Sequence, residues 1–172
     1  ADTPPATLLR ALVAAVDGGF GPVDLLALLK HPLCLLGQTR ADLLDVARRL
    51  DRKYLRGLKP TAGLEAIRRI IANQRKDGDR GGNADADAAL ALIDRLDAAT
   101  SGLAVLMAEG AEPDALLDAT IAAAEMLSSA DTVWRGEAGE ALAETLARLR
   151  GAWRDQPAID GGEWPGLLAA ML

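Results

Sequence analysis

The chain has one cysteine, Cys34, and one histidine, His31, in 172 residues. A lone cysteine excludes an internal disulfide framework and any cysteine-based zinc or iron–sulfur site built within the chain. A lone histidine excludes a three-histidine metal centre and a two-histidine facial triad. Aromatics are down to three tryptophans, one tyrosine and one phenylalanine. β-Branched apolar residues are scarce as well: six valines and six isoleucines stand against 35 alanines and 30 leucines. Small and straight-chain apolar side chains favour helix, whereas strands draw on β-branched and aromatic ones, which argues against an all-β sandwich or a parallel-sheet enzyme. Uninterrupted apolar runs are a handful of residues, far below the ~20 that carry a helix across a bilayer. No membrane partner is expected, and the expected location is the cytoplasm.

What is present is a half-apolar chain of a length that suits one domain. Leu8, Leu9, Leu12 and Val16 share one helical face after Thr3-Pro4-Pro5, and Gly18-Gly19 ends that helix. Pro22 suits the first position of a short second helix carrying Leu25, Leu26, Leu28 and Leu29. His31 precedes Pro32, which pushes it out of the helical region and stops the helix near Lys30. Thr39 with Asp42 approximates a capping box for a helix running to about Arg56, with Gly57 as its stop. Another helix, after Lys59-Pro60, carries Leu64, Ile67, Ile70 and Ile71.

Residues 76–83 contain no large apolar side chain, which predicts a flexible loop and a possible sub-boundary within a single domain spanning 1–172. A long helix is predicted over Ala84–Ala108, disturbed at Ser101-Gly102. Others follow from Pro113 to about Ser129, from Gly136 to about Trp153, and from Trp164 onward. The expected fold is all-α, an irregular array of seven or eight helices. The opening at Ala1 and the close inside an apparent helix are what a piece of a longer protein would show.

Charge is divided between the halves. Residues 1–80 hold 14 Lys/Arg against 9 Asp/Glu, and residues 81–172 hold 5 against 16. On the Thr39–Arg56 helix, Arg48, Arg49, Arg52, Lys53 and Arg56 lie opposite the apolar face at 100° per residue. Such a row could meet phosphates, or be a solvated face with Asp45 and Asp51 nearby. No aromatics interleave it to stack bases, which argues against single-strand binding.

No catalytic, cofactor or metal site is expected. The glycine-rich stretch 78–83 lacks the Gly-Lys-Ser/Thr ending of a phosphate-binding loop. The carboxylate pairs Asp77/Asp79, Asp85/Asp87 and Glu137/Glu140 suit helix starts, where negative charge meets the dipole. Lys30 and His31 fall at a helix C-terminus, where cationic donors satisfy orphan carbonyls. Cys34, between two leucines, reads as a small core residue. Ser101, Ser128 and Ser129 have no base beside them.

Three stretches carry a likeness. Phe20-Gly21-Pro22-Val23 and Leu25-Leu26-Ala27-Leu28-Leu29-Lys30-His31-Pro32-Leu33 resemble a segment of the AddB-type double-strand break repair proteins of alphaproteobacteria. Trp134-Arg135-Gly136-Glu137-Ala138-Gly139-Glu140 and Gly162-Glu163-Trp164-Pro165-Gly166-Leu167-Leu168 resemble later segments in the same order. The likeness runs along the chain in outline and is poorest over residues 59–113. It implies structural family positions at Lys30, His31, Pro32, Trp134, Gly136 and Glu140. It also implies the helical subdomain inserted in the second RecA-like motor domain of a UvrD-like helicase. The parent would be a subunit of a helicase–nuclease that uses ATP and Mg²⁺ and works with an AddA-like partner on double-stranded DNA. None of the family's nucleotide-binding, nuclease or iron–sulfur motifs falls inside this chain, so this fragment is expected to be no enzyme by itself and to touch DNA only weakly and without sequence preference. The other reading, from a different class, is an α-helical protein–protein interaction or scaffold domain unrelated to DNA repair.

Overall fold

Prolines open four of the helices, at Pro4, Pro22, Pro113 and Pro165, because the first turn has N–H groups with no intrahelical acceptor to lose. The structure, a computed structural model, describes residues 3–56, 63–75 and 79–172, of which 80% are helical and none forms a β-strand. The described helices are α1 (Pro4–Asp17), α2 (Pro22–Lys30), α3 (Arg40–Leu50), α4 (Gly63–Asn73), α5 (Arg80–Glu109), α6 (Pro113–Leu127), α7 (Ala130–Val133), α8 (Gly136–Trp153) and α9 (Trp164–Met171). A π-helical turn (Asp51–Leu55) extends α3, and a 3₁₀ turn (Gly161–Glu163) leads into α9. The all-α expectation is met. The extra helix over the expected seven or eight is α7, whose four residues are too short for periodicity to register; it is held by the Ser129 hydroxyl, which accepts the Thr132 N–H.

Helix α5 corrects two expectations. It begins at Arg80, inside the stretch read as a loop, because the Asp79 carboxylate accepts the Gly82 N–H at 2.8 Å and supplies a first-turn donor with its partner. Gly82 is what lets that carboxylate lie against the turn, since a Cβ there would collide with it. Lys76–Gly78 fall outside the described residues. The helix then runs unbroken through Ser101-Gly102, anchored on either side by the buried Leu96, Ala99, Thr100 and Leu103.

The Thr39–Arg56 helix is also corrected. Thr39 caps it as expected, accepting the Asp42 N–H at 3.2 Å, but the last turn is π-helical. The wider turn buries two residues adjacent in sequence, Tyr54 and Leu55. Arg56 leaves in an extended conformation; the expected stop at Gly57, with Lys59 and Pro60, lies outside the described residues.

Helix α5 packs against α3, α4 and α6, and α1 crosses α2, α5, α6, α8 and α9. One cluster of buried side chains draws on elements from both sides of residues 76–83, with Leu9, Leu29, Leu50, Ile71, Leu92, Leu117 and Leu168 among its members. The C-terminal segment is pinned to the α5–α6 corner. Ala111 and Ile159 exchange two backbone hydrogen bonds, of 3.2 and 2.9 Å. Trp164 is fully buried; its ring meets Trp153 edge-on at 5.7 Å and its Nε1 donates to Thr120 Oγ1 at 3.1 Å. That hydroxyl in turn donates to the Leu116 carbonyl at 2.7 Å, so the buried indole N–H and the buried hydroxyl are both partnered.

Gly161 faces the Met107 backbone with no room for a Cβ, whereas nothing lies within 4 Å of a Cβ built on the exposed Gly102. Gly161→Ala should therefore lower stability by about 1–3 kcal/mol through overpacking. Gly102→Ala should raise it by about 0.5–1 kcal/mol through helix propensity. Urea midpoints check both; equal midpoints for the two variants would refute the close approach.

Candidate nucleic-acid interface

The site begins with the amphipathic pattern of α3. Leu43, Val46, Ala47 and Leu50 are buried, which leaves the basic residues on the outside of the helix and its π-helical extension. The structure divides the five basic residues into two rows. Arg49 and Lys53, four apart, face α5, where one carboxylate receives both: Asp85 Oδ1 lies 2.7 Å from Arg49 Nη1, and Asp85 Oδ2 is bonded to Lys53 Nζ. Arg49 also binds Asp45, one turn back on its own helix. Arg48 and Arg52, each one residue before a member of the first row, and Arg56, three residues beyond Lys53, form the second row and are exposed. Among the described residues, none of these three makes an ion pair.

The hydrogen bonds from Lys53 and then Arg49 hold the Asp85 carboxyl below its ordinary value, and Asp85 in turn pushes the Arg49 guanidinium up. Exposed pairs of this kind are worth only ~0.2–1 kcal/mol each, so the seam orients charge more than it stabilises the fold. The rest of α5 continues it. Arg68 of α4 reaches Asp94 at 2.9 Å and Asp97 at 2.7 Å, and Arg75 binds Asp87. The charge imbalance between the halves of the sequence is thus cancelled in part where α5 meets α3 and α4. Asp85 stood out in the sequence only as half of a carboxylate pair at a helix start; the asymmetry of charge was the signal for its role.

The Lys30-His31-Pro32 turn is built differently from the expectation that Lys30 and His31 cap α2. The donor is Arg40, ten residues beyond the helix end. Its Nη1 donates to the Leu29 carbonyl at 3.0 Å and the Cys34 carbonyl at 3.1 Å, and its Nη2 to the Lys30 carbonyl. The intervening loop folds back onto α6, where the Leu35 and Leu36 N–H groups both donate to the Leu127 carbonyl at 2.8 Å, and this return brings Arg40 under α2. His31 has another task. Its Nδ1 accepts the Leu33 N–H at 3.2 Å, so the ring proton sits on Nε2 and points to Thr7 Oγ1 at 3.0 Å. That hydroxyl passes its own hydrogen to the Pro4 carbonyl at 2.9 Å. Burial first, and the nearby Arg40 second, hold the imidazole below its usual value. Cys34 is fully buried, and burial pushes its thiol up to about 12, as befits a core residue.

Trp134, Gly136 and Glu140, singled out by the sequence resemblance, lie at the α7–α8 corner, which packs on α6 and α1. Trp134 is half-buried and its Nε1 donates to Glu125 Oε1 at 2.7 Å. Gly136 takes φ +72°, a left-handed conformation that favours glycine, and starts α8. Glu140 is exposed. Pro32 is exposed just past the end of α2. Among the described residues, no group of three or more His, Cys, Asp or Glu side chains is placed to hold a metal ion, and no helix is long and apolar enough to cross a membrane. No family model, no curated protein and no solved structure matches this chain.

The His31 ring supplies a pH test. A folded pKa below 6.5 means that the unfolded chain binds more protons below that point, so stability is complete above pH 6.5 and declines as pH falls beneath it. Because the chain has one histidine, its imidazole ¹⁵N signals are unambiguous. They should report the Nε2–H tautomer and a titration below 6.5. His31→Gln should flatten the stability change across the same window. A ring titrating above 6.5 would refute the geometry.

Proposed function

We propose that this chain is a helical platform of an AddB-type subunit, a segment that places an arginine row along duplex DNA and performs no chemistry of its own. The observation that carries the DNA contact is the exposure of Arg48, Arg52 and Arg56 without ion-pair partners among the described residues. Arg48 in the last turn of α3, Arg52 on its π-helical extension and Arg56 where the chain leaves that turn present three exposed guanidinium groups to a phosphate backbone. The parent assignment rests on the ordered likeness of the three sequence segments. In that parent, ATP and Mg²⁺ serve motor and nuclease domains elsewhere, and an AddA-like subunit is the protein partner.

Contact through this row is electrostatic and sequence-independent, with dissociation constants in the ~10⁻⁴–10⁻⁶ M range of non-specific binding at physiological salt. The acidic second half weakens it further, since like charge is felt over a Debye length of ~8 Å at 0.15 M salt. The scaffold reading draws support from one feature, a groove of about 300 Å³ between α6 and α8 walled by Ile121, Trp134, Ala143, Leu146 and Ala147. A protein partner seated there is compatible with either parent.

Two tests follow. Changing Arg48, Arg52 and Arg56 together to Glu should leave the helical spectrum and Tm nearly unaltered and abolish duplex binding at low salt; unaltered binding reduces the row to a solvated face. In the full gene, RecA-like motor segments should flank the coding region for this chain, with a nuclease domain downstream. A stop codon directly after Leu172 would overturn the parent assignment.

A further inference from the structure

We infer that Asp85 is an internal competitor for phosphate, which withholds Arg49 and Lys53 from a duplex that Arg48, Arg52 and Arg56 engage; this rests on the duplex-contact reading above. The sequence offers five cations in one row, but the fold leaves only three of them available. The competitor belongs to another element: Asp85 lies 36 residues beyond Arg49 and 32 beyond Lys53, so the contact forms only when α5 packs against α3. Its two oxygens take one cation each, an arrangement in which a carboxylate occupies the place a phosphate would take. The seam is open to approaching ligands: the side chains of Arg49, Lys53 and Asp85 are 32%, 37% and 20% exposed. Arg49 follows Arg48 on α3 and Lys53 follows Arg52 on the π-helical extension, so a strand lying along Arg48 and Arg52 passes next to them. Asp45 reinforces the restraint on Arg49 alone, which makes Lys53 the cation that depends on Asp85 entirely. The device limits how strongly this face grips DNA, which suits a platform over which a duplex must slide.

The experiment is a salt series of short-duplex binding read by fluorescence anisotropy, with circular dichroism on every variant. Each phosphate contact contributes about −0.9 to the slope of log K against log salt. Three contacts give the unaltered chain a slope of about −2.7, and Asp85→Asn should steepen it to as much as about −4.5. Glu144→Gln removes the same charge from the exposed face of α8 and should leave the slope as it was. Adding Arg49→Ala and Lys53→Ala to Asp85→Asn should restore the original slope. In the otherwise unaltered chain that same pair of alanine changes should not reduce the slope, because those cations are already withheld; this arm needs no change at Asp85 and stands if Asp85→Asn does not fold. A slope unchanged by Asp85→Asn, or reduced by about 1.8 in the alanine pair alone, overturns the role of Asp85 while leaving the exposed row intact. Failure of both the unaltered chain and Asp85→Asn to bind at low salt overturns the duplex-contact reading and this inference together.

Discussion

Burial of the apolar stripe of α5 is the constraint on which the rest of the molecule hangs. Leu92, Ile93, Leu96 and Leu103 are almost wholly removed from water, and α1, α3, α4 and α6 all pack against α5. Each such side chain contributes ~1.5–3 kcal/mol, several times what an exposed ion pair supplies. The core therefore decides that these helices meet. The charges on their margins are matched where they meet, Asp85 with Arg49 and Lys53, and Asp94 and Asp97 with Arg68.

This division of labour explains which features were legible in the sequence. Helix starts at Pro4, Pro22, Thr39 and Pro113 are local events, decided by a fixed φ or a side chain reaching its own backbone, and they fall where the residues indicate. The leucine faces of α1 and α2 are equally local. The start of α5 was hidden because Gly81-Gly82 is a poor helix sequence by propensity, and the Asp79 cap with the packing beyond it overrides that preference. The π-helical turn at Asp51–Leu55 was hidden because a regular 100° projection has no place for it. In the candidate interface, the row of basic residues could be read, but its division into two rows could not: Asp85 is separated from Arg49 by 36 residues and becomes its neighbour only through tertiary packing.

The α2–α3 connection shows the same contrast from the other direction. A lysine and a histidine at a helix end suggested their own role as caps, yet the carbonyls of Leu29 and Lys30 are taken by Arg40. A guanidinium can serve three acceptors from one position, whereas an imidazole has two nitrogens, both already engaged by Leu33 and Thr7. The Lys30-His31-Pro32 stretch is thus a packing joint between α1, α2 and the loop that leans on α6.

Cys34 lies inside that joint, its carbonyl held by Arg40 and its side chain fully enclosed. With the thiol pushed up to about 12, almost none of it is thiolate at neutral pH, and no reagent reaches it while the loop is closed. Its rate of modification is therefore a clock for opening of residues 31–39, the way exchange of a protected amide times a local unfolding event. The only thiol in the chain is a built-in probe of whether the joint between α1, α2, α3 and α6 breathes separately from the core or together with it.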